Sequence, residues 1–217
     1  MKASGEVRIL GVSGSLRKES LNSRLLAAVR PLAPEGMTIE VFDGLGDLPL
    51  YNGDLDTREG GPAPVQRWRE AVRAADGLLI VTPEYNSSIP GVLKNAVDWV
   101  SRPMVNAALH GKSVVTMVAT PGRGLGRNVL TDLGRVLHDC HAHVVSGPWV
   151  VLTEADGKLV DAEDEQGFVP AITDPMTVRI ASFQLTALAA AVEAGAGEHA
   201  VAPLRAFMAA GRQQRKS

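Results

Sequence analysis

The apolar run Leu78–Val81 stops abruptly at the polar stretch Pro83-Glu84-Tyr85-Asn86-Ser87-Ser88, and a helical pattern begins just beyond it at Pro90. A short run with no polar position reads as a strand buried on both faces, which is the habit of parallel sheets covered by helices. The same sequence of events occurs twice more. Val7–Ser13 runs into the polar stretch Gly14–Asn22, and Val114–Ala119 runs into Thr120-Pro121-Gly122-Arg123-Gly124. In open α/β sheets, ligands lie in the crevice outside the carboxyl ends of the strands. Three polar strand ends in one short chain predict a single ligand lying across one edge of one sheet.

Strand-like and helix-like patterns alternate over most of the chain. Val7–Ser13 reads as a buried strand. Leu21–Val29 reads as a helix with Leu21, Leu25, Leu26 and Val29 on one face and Ser20 as its N-cap. Thr38–Phe42 is a second strand, and the Gly-, Pro- and Asp-rich stretch Asp43–Gly61 a long loop. A loop of that length in a compact domain is usually a lid or a binding wall. Helix Ala63–Asp76, strand Gly77–Thr82, helix Pro90–Val100, strand Lys112–Ala119, helix Val129–His138 and strand Val144–Leu152 follow. Gly147-Pro148 interrupts the last strand, which suits an edge or a bulge. Beyond it, Thr153–Thr173 reads as an acidic connecting loop, Thr177–Ala194 as a final helix, and the stretch from Gly195 as a solvated tail ending in Arg212, Arg215 and Lys216. Strands alternating with helices predict an α/β/α sandwich around a five-stranded parallel sheet, in the order 2-1-3-4-5. One domain over residues 1–194 is expected, with 195–217 a flexible C-terminal tail.

Composition removes several classes of function. The 22 basic and 24 acidic residues nearly cancel, to a net charge of −2, so no strong field favours nucleic acid or an acidic membrane surface. No apolar stretch reads as the ~20 residues that cross a bilayer. The single Cys140 forms no internal disulfide and suits a reducing compartment. The first residues, Met1–Glu6, lack the apolar core of a signal peptide. A cytoplasmic protein is expected, with neither nucleic acid nor membrane as partner.

The first polar loop carries the strongest chemistry. A helix N-terminus offers unpaired N–H groups and a partial positive charge to an anion. Ser13, Ser15 and Ser20 add hydroxyl donors, Arg17 adds a charged fork, and Asn22 braces the loop. The G-x-x-x-x-G-K-[ST] pattern of nucleotide triphosphatases is absent, and Gly11 and Gly14 lack the spacing of the dinucleotide fingerprint. Gly122-Arg123-Gly124-Leu125-Gly126 also misses G-x-G-x-x-G by one residue. A monophosphate is the expected ligand.

Two other chemistries fit these residues less well. Gly11-Val12-Ser13-Gly14-Ser15 approaches the nucleophile elbow G-x-S-x-G, but Ser15 stands where the last glycine is required. His138, Cys140, His141 and His143 crowd within six residues at one junction, whereas structural zinc sites draw on well-separated ligand pairs. A helix C-terminus with Cys140 packed on the core is the simpler reading, and no metal is expected.

Three stretches carry a resemblance: Gly11–Asn22, Leu48-Pro49-Leu50-Tyr51-Asn52, and Thr82-Pro83-Glu84-Tyr85-Asn86-Ser87-Ser88-Ile89-Pro90-Gly91-Val92-Leu93-Lys94-Asn95-Ala96-Val97-Asp98-Trp99. Over roughly residues 7–155 the chain resembles the NADPH-dependent FMN reductases, a flavodoxin-like family that includes quinone, chromate and azo-dye reductases. The resemblance implies FMN as cofactor and NADPH or NADH as co-substrate. It puts the flavin phosphate on Ser15, Arg17, Ser20 and Asn22, with Ser13 and Leu21 beside them. The isoalloxazine ring would lie against Pro83, Glu84, Tyr85, Asn86 and Ser87, with Thr120, Gly122 and Gly124 closing its other side. Ser87 stands where the family often has Gly or His. Glu84 is expected to cap the helix that follows it rather than act as a base.

The implied activity is hydride transfer from NAD(P)H through FMN to a quinone, free flavin or similar small acceptor, with no catalytic side chain required. The alternative is an electron carrier or FMN-binding module without a nicotinamide site, a class that tends to be far more acidic than this chain. Helix Pro90–Val100 and Met104–Leu109 carry more apolar surface than one face needs, so a homodimer or homotetramer with residues 90–109 in the interface is expected.

Overall fold

The computed structural model describes residues 6–57, 60–124, 126–164 and 167–214. In chain order the elements are β1 (Val7–Ser13), α1 (Leu21–Val29), β2 (Met37–Phe42), α2 (Ala63–Ala74), β3 (Gly77–Val81), α3 (Gly91–Val100), β4 (Ser113–Ala119), α4 (Arg127–Asp139), β5 (His143–Val144), β6 (Val150–Leu152), α5 (Ala155–Lys158), β7 (Leu159–Asp164), β8 (Gly167–Ile172), α6 (Pro175–Glu193) and α7 (Ala196–Gln214). The main sheet runs β2-β1-β3-β4-β5, all parallel, with β6 also pairing with β4. That is the 2-1-3-4-5 order expected of a flavodoxin-like fold.

Alternation along the strands explains the three layers. Successive strand side chains point to opposite faces. In β3, Leu78 and Ile80 join a core with Trp68, Val72, Leu93, Trp99 and Leu133, under α2, α3 and α4. Leu79 and Val81 point the other way, into a core with Leu25, Val29, Ala181, Leu185 and Leu188, under α1 and α6. The register places Leu79 between Gly11 of β1 and Val115 of β4, so the middle of the sheet is sealed on both sides.

The later part of the chain departs from the sequence reading. The expected strand Val144–Leu152 is two short pieces, separated where Gly147 takes φ 151° and the Gln184 side chain donates to the Pro148 carbonyl at 2.7 Å. The expected acidic loop Thr153–Thr173 contains a one-turn helix and the antiparallel hairpin β7–β8. Glu154, Asp156, Asp161 and Glu163 are exposed, while Arg24 of α1 reaches across to the Leu159 carbonyl at 3.2 Å and to Asp161 at 2.7 Å. The expected tail is also ordered differently: α7 forms over Ala196–Gln214, and Val201 is buried. Its Arg215 and Lys216, with the side chain of Arg212, lie outside the described residues.

By length and composition α6 is also apolar enough to cross a membrane, contrary to the sequence expectation. Its Ala181, Leu185 and Leu188 are fully buried against the sheet, so in this fold it serves as a covering helix.

Candidate functional site

The carboxyl ends of β1, β3 and β4 meet in three loops: loop A (14–20), loop B (82–90) and loop C (120–126). Backbone contacts fix them against one another. Gly14 N–H donates to the Val81 carbonyl at 2.8 Å, Thr82 N–H to Met117 at 3.0 Å, and Thr120 N–H to Leu152 at 2.9 Å. Loop A passes so close to β3 that a Cβ on Gly14 would lie 2.8 Å from the Thr82 Cβ, so only glycine fits there.

Within loop A the predicted residues divide into two groups. Ser20 is the N-cap of α1, its hydroxyl accepting from Ser23 N–H at 3.2 Å, and it is buried. Leu21, half-buried, is the first helical residue. Asn22 is 3% exposed, and its amide clasps Ala119: Nδ2 donates to the carbonyl at 3.0 Å and Oδ1 accepts the N–H at 2.8 Å. Asn22 is thus the brace that joins α1 to the end of β4, its side-chain amide paired with the Ala119 backbone. Ser13 shares a hydrogen bond with Ser23 at 2.8 Å. Ser15 and Arg17 line a cavity at the loop. The Arg17 guanidinium has no partner among the described residues, and Ser15 Oγ accepts the Arg17 N–H at 3.3 Å. An unpaired guanidinium, a hydroxyl and the first turn of a helix form a donor set suited to a phosphate.

Loop B is a tight turn. Tyr85 and Ser88 exchange N–H···O bonds at 3.1 and 3.0 Å, and Asn86 and Ser87 between them take φ 50° and 59°. Two successive left-handed residues make the turn that reverses a two-residue hairpin, a conformation natural to glycine and costly to serine. Pro83 is buried, whereas Tyr85, Asn86 and Ser87 are exposed at the edge. Ser88 donates to Asp132 of α4 at 2.6 Å.

Glu84 caps a helix, but not the one that follows it. Its Oε2 accepts from Gly126, Asn128 and Val129 N–H at 2.9, 3.1 and 3.2 Å, closing the N-terminus of α4 some forty residues on. The expectation for α3 fails: Pro90 occupies its N-cap position, and that helix has no side-chain cap. Glu84 Oε1 is buried and has no partner among the described residues. Loop C is completed by Thr120, whose Oγ1 accepts Gly122 N–H at 3.3 Å, and by Gly122, whose carbonyl accepts Glu154 N–H at 3.2 Å. A Cβ on Gly124 would meet open space.

Three further residues, Asn95, Trp99 and Arg69, hold the rim, and none stands out in the sequence as a site residue. Asn95 of α3 is buried; its Oδ1 accepts Tyr51 N–H at 2.8 Å and its Nδ2 donates to Pro49 at 2.9 Å. Trp99 Nε1 donates to the same Pro49 carbonyl at 2.8 Å, and its ring meets that of Tyr51 edge-on at 4.9 Å. The stretch Leu48–Asn52 is thereby strapped onto α3, the helix that loop B feeds. Arg69, 3% exposed, donates to Trp99, Gly60 and Asp56 at 3.0, 3.1 and 2.9 Å, tying the long loop down at its far end. A buried arginine on a helical face was the available signal, since burial of that charge demands partners.

The four crowded His and Cys positions are placed separately from this edge. His141 meets His110 edge-on at 5.3 Å, His143 pairs with Ser113 at 3.2 Å, and Cys140 packs against the α2–α4 core. Burial pushes the Cys140 thiol up, away from a reactive thiolate.

Known proteins share both this fold and these stretches. The sequence pattern of the family described as NADPH-dependent FMN reductase matches residues 7–157. An NAD(P)H-dependent FMN reductase of Pseudomonas aeruginosa is 41% identical over 164 residues, covering 73% of this chain and 87% of that protein. A quinone reductase of Escherichia coli is 35% identical over 178 residues, covering 80% and 94%. Among solved structures, the flavoenzyme FerB of Paracoccus denitrificans, an NAD(P)H:(acceptor) oxidoreductase, superposes with a TM-score of 0.74 at 29% identity, covering 87% of this chain and 98% of that one. The matched region spans all three loops and every strand of the main sheet. This chain belongs to the NADPH-dependent FMN reductase family.

Proposed function

We infer that the protein is an FMN-dependent NAD(P)H oxidoreductase that hands a hydride to a quinone, a free flavin or a similar small acceptor. The observation that carries this reading is the join of loops A, B and C at one sheet edge, where, among the described residues, Arg17 is unpaired at one end and a Cβ on Gly124 would meet nothing at the other. Arg17, Ser15 and the first turn of α1 would hold the phosphate. Pro83, Tyr85, Asn86, Ser87 and Gly124 would bound the ring. FMN would supply the hydride chemistry when bound. The protein's own part is to bind and orient: Asn22 and Glu84 fix the loops from behind, so the exposed groups meet their ligand already positioned.

An assembly of at least two copies is part of the reading. Most of the apolar face of α3 turns inward, with Leu93, Ala96, Val97, Trp99 and Val100 buried in the chain's own core. What remains exposed nearby is Met104 and Val105, at 55% and 54%, and these two narrow the proposed interface within 90–109. A reducing, cytoplasmic setting suits the single Cys140.

The test is the absorption spectrum of the purified protein followed by anaerobic mixing with NADPH and with NADH. A flavin spectrum that bleaches on mixing and recovers on addition of a quinone supports the enzyme. A flavin spectrum that neither dinucleotide bleaches supports an electron carrier, and a protein that binds no FMN defeats both.

A further inference from the structure

Loop B is fastened to α4 on both sides of its strained turn. On one side, Glu84 Oε2 accepts from Gly126, Asn128 and Val129 N–H. On the other, Ser88 Oγ donates to Asp132 Oδ2 at 2.6 Å, the short length of a hydrogen bond to a charged acceptor. Asn128 and Asp132 lie four positions apart, one turn along the same face of α4. Glu84 and Ser88 are also four positions apart, and they bracket Tyr85, Asn86 and Ser87. The helix thus grips the turn before it and after it.

The two grips answer different needs. Glu84 serves as a cap, because the N-terminus of α4 leaves N–H groups to satisfy. Asp132 stands in the second turn of α4, beyond the capped groups, and Ser88 is the one partner of its carboxylate among the described residues. What it holds is costly. Asn86 and Ser87 take φ 50° and 59°, a region that Asn visits readily and serine does not. Both residues are exposed, and neither backbone N–H has a partner among the described residues. The exchange between Tyr85 and Ser88 closes the turn on itself, and the Asp132 bond ties its far end to a neighbouring helix.

We propose that Asp132 is a positioning residue for the flavin. Through Ser88 it holds the turn of loop B in its left-handed form, which keeps the free N–H groups of Asn86 and Ser87 in place for the ring. The proposal rests on the flavin-reductase reading and adds to it a residue that acts through another rather than by contact with the ligand. Serine gains on leaving the left-handed region, so the turn relaxes once the bond is cut. A turn that is relaxed for part of the time is competent only for the rest, and affinity falls by that fraction.

Fluorescence titration of FMN into apoprotein, with thermal unfolding of the same samples, tests this. Asp132→Ala is expected to weaken FMN binding about five- to tenfold, and Ser88→Ala to weaken it equally. The double variant should fall within about twofold of either single one, because both cut the same bond. Asp132→Asn keeps an acceptor oxygen and should recover affinity to within about threefold of the parent. Ser87→Gly separates positioning from a contribution to stability alone. With glycine the turn has no strain to shed, so Asp132→Ala in that background should cost less than about twofold in FMN affinity. It should still lower the unfolding temperature there. Parent-like FMN binding by Asp132→Ala, losses that add in the double variant, or a loss that Asp132→Asn or Ser87→Gly leaves in full overturns the proposal. Failure of the unmodified protein to bind FMN overturns the reductase reading instead, and this role with it.

Discussion

Glu84 Oε2 accepts a hydrogen bond from the backbone N–H of Gly126 at 2.9 Å, and by it the loop after β3 holds the loop after β4. The same oxygen takes the N–H groups of Asn128 and Val129, so one carboxylate closes a helix and fixes the gap between two walls of the site. A carboxylate at a helix N-terminus also gains from the helix dipole. Glu84→Ala should cost about 2–3 kcal/mol of stability, since it strands donors that had a charged acceptor. Glu84→Gln keeps an acceptor and should cost about 1 kcal/mol, mainly the lost charge. Urea unfolding gives both values, and FMN titration of the same variants should show weaker binding in the same order. An alanine variant as stable as the parent would mean the cap contributes nothing.

Asn22 ties α1 to β4 by two buried hydrogen bonds with Ala119. Asn22→Ala should leave the N–H and carbonyl of Ala119 unpaired, at a cost of about 1–3 kcal/mol each before relaxation. Asn22→Asp sets a buried carboxylate oxygen against the Ala119 carbonyl, so at neutral pH it should be at least as destabilising as alanine in thermal unfolding. Parent-like stability of the alanine variant would contradict the brace.

Ser87 holds a left-handed conformation that favours glycine, with φ 59°. Ser87→Gly should raise stability by about 0.5–1 kcal/mol, the relief of strain being partly offset by the freer unfolded chain. The turn already has the geometry that glycine prefers, so FMN affinity should change little. A loss of stability would mean that the Ser87 side chain makes a contact worth more than the strain.

The parts of this protein written into the sequence are those governed by short-range rules. Unbroken apolar runs such as Leu78–Val81 marked the buried strands, and Ser20 marked the start of α1 through its own side chain. The polar loops at the strand ends were legible because parallel topology puts all such ends on one edge. What could not be read is what long-range partners decide. The hairpin β7–β8 is rich in acids and had no visible core face, because its partner, Arg24, lies more than a hundred residues earlier. Helix α7 was obscured by Gly195, Gly197 and Pro203; it forms with Pro203 inside it, and Val201 is buried. Glu84 caps α4 and not the α3 expected of it, because the helix it closes is chosen by how the strands lie side by side.

Assembly offers an independent check. With Met104 and Val105 in an interface between copies, the double substitution Met104→Ser with Val105→Ser should shift the mass seen by light scattering toward the 22.9 kDa of one chain. Both side chains are more than half exposed, so the monomer's own fold should survive. A parent protein that already has the mass of one chain, with activity intact, would refute the interface.

Arg17 tests most directly where the cofactor's phosphate is held. Fluorescence titration of FMN into apoprotein prepared from the parent and from Arg17→Ala compares the two affinities. The loss should be about 1.5–3 kcal/mol, the range for hydrogen bonds to charged groups, or roughly 10- to 150-fold in Kd. Thermal stability should be unchanged, because the guanidinium has no partner among the described residues. An Arg17→Ala protein that binds FMN as tightly as the parent would contradict the placement of the site.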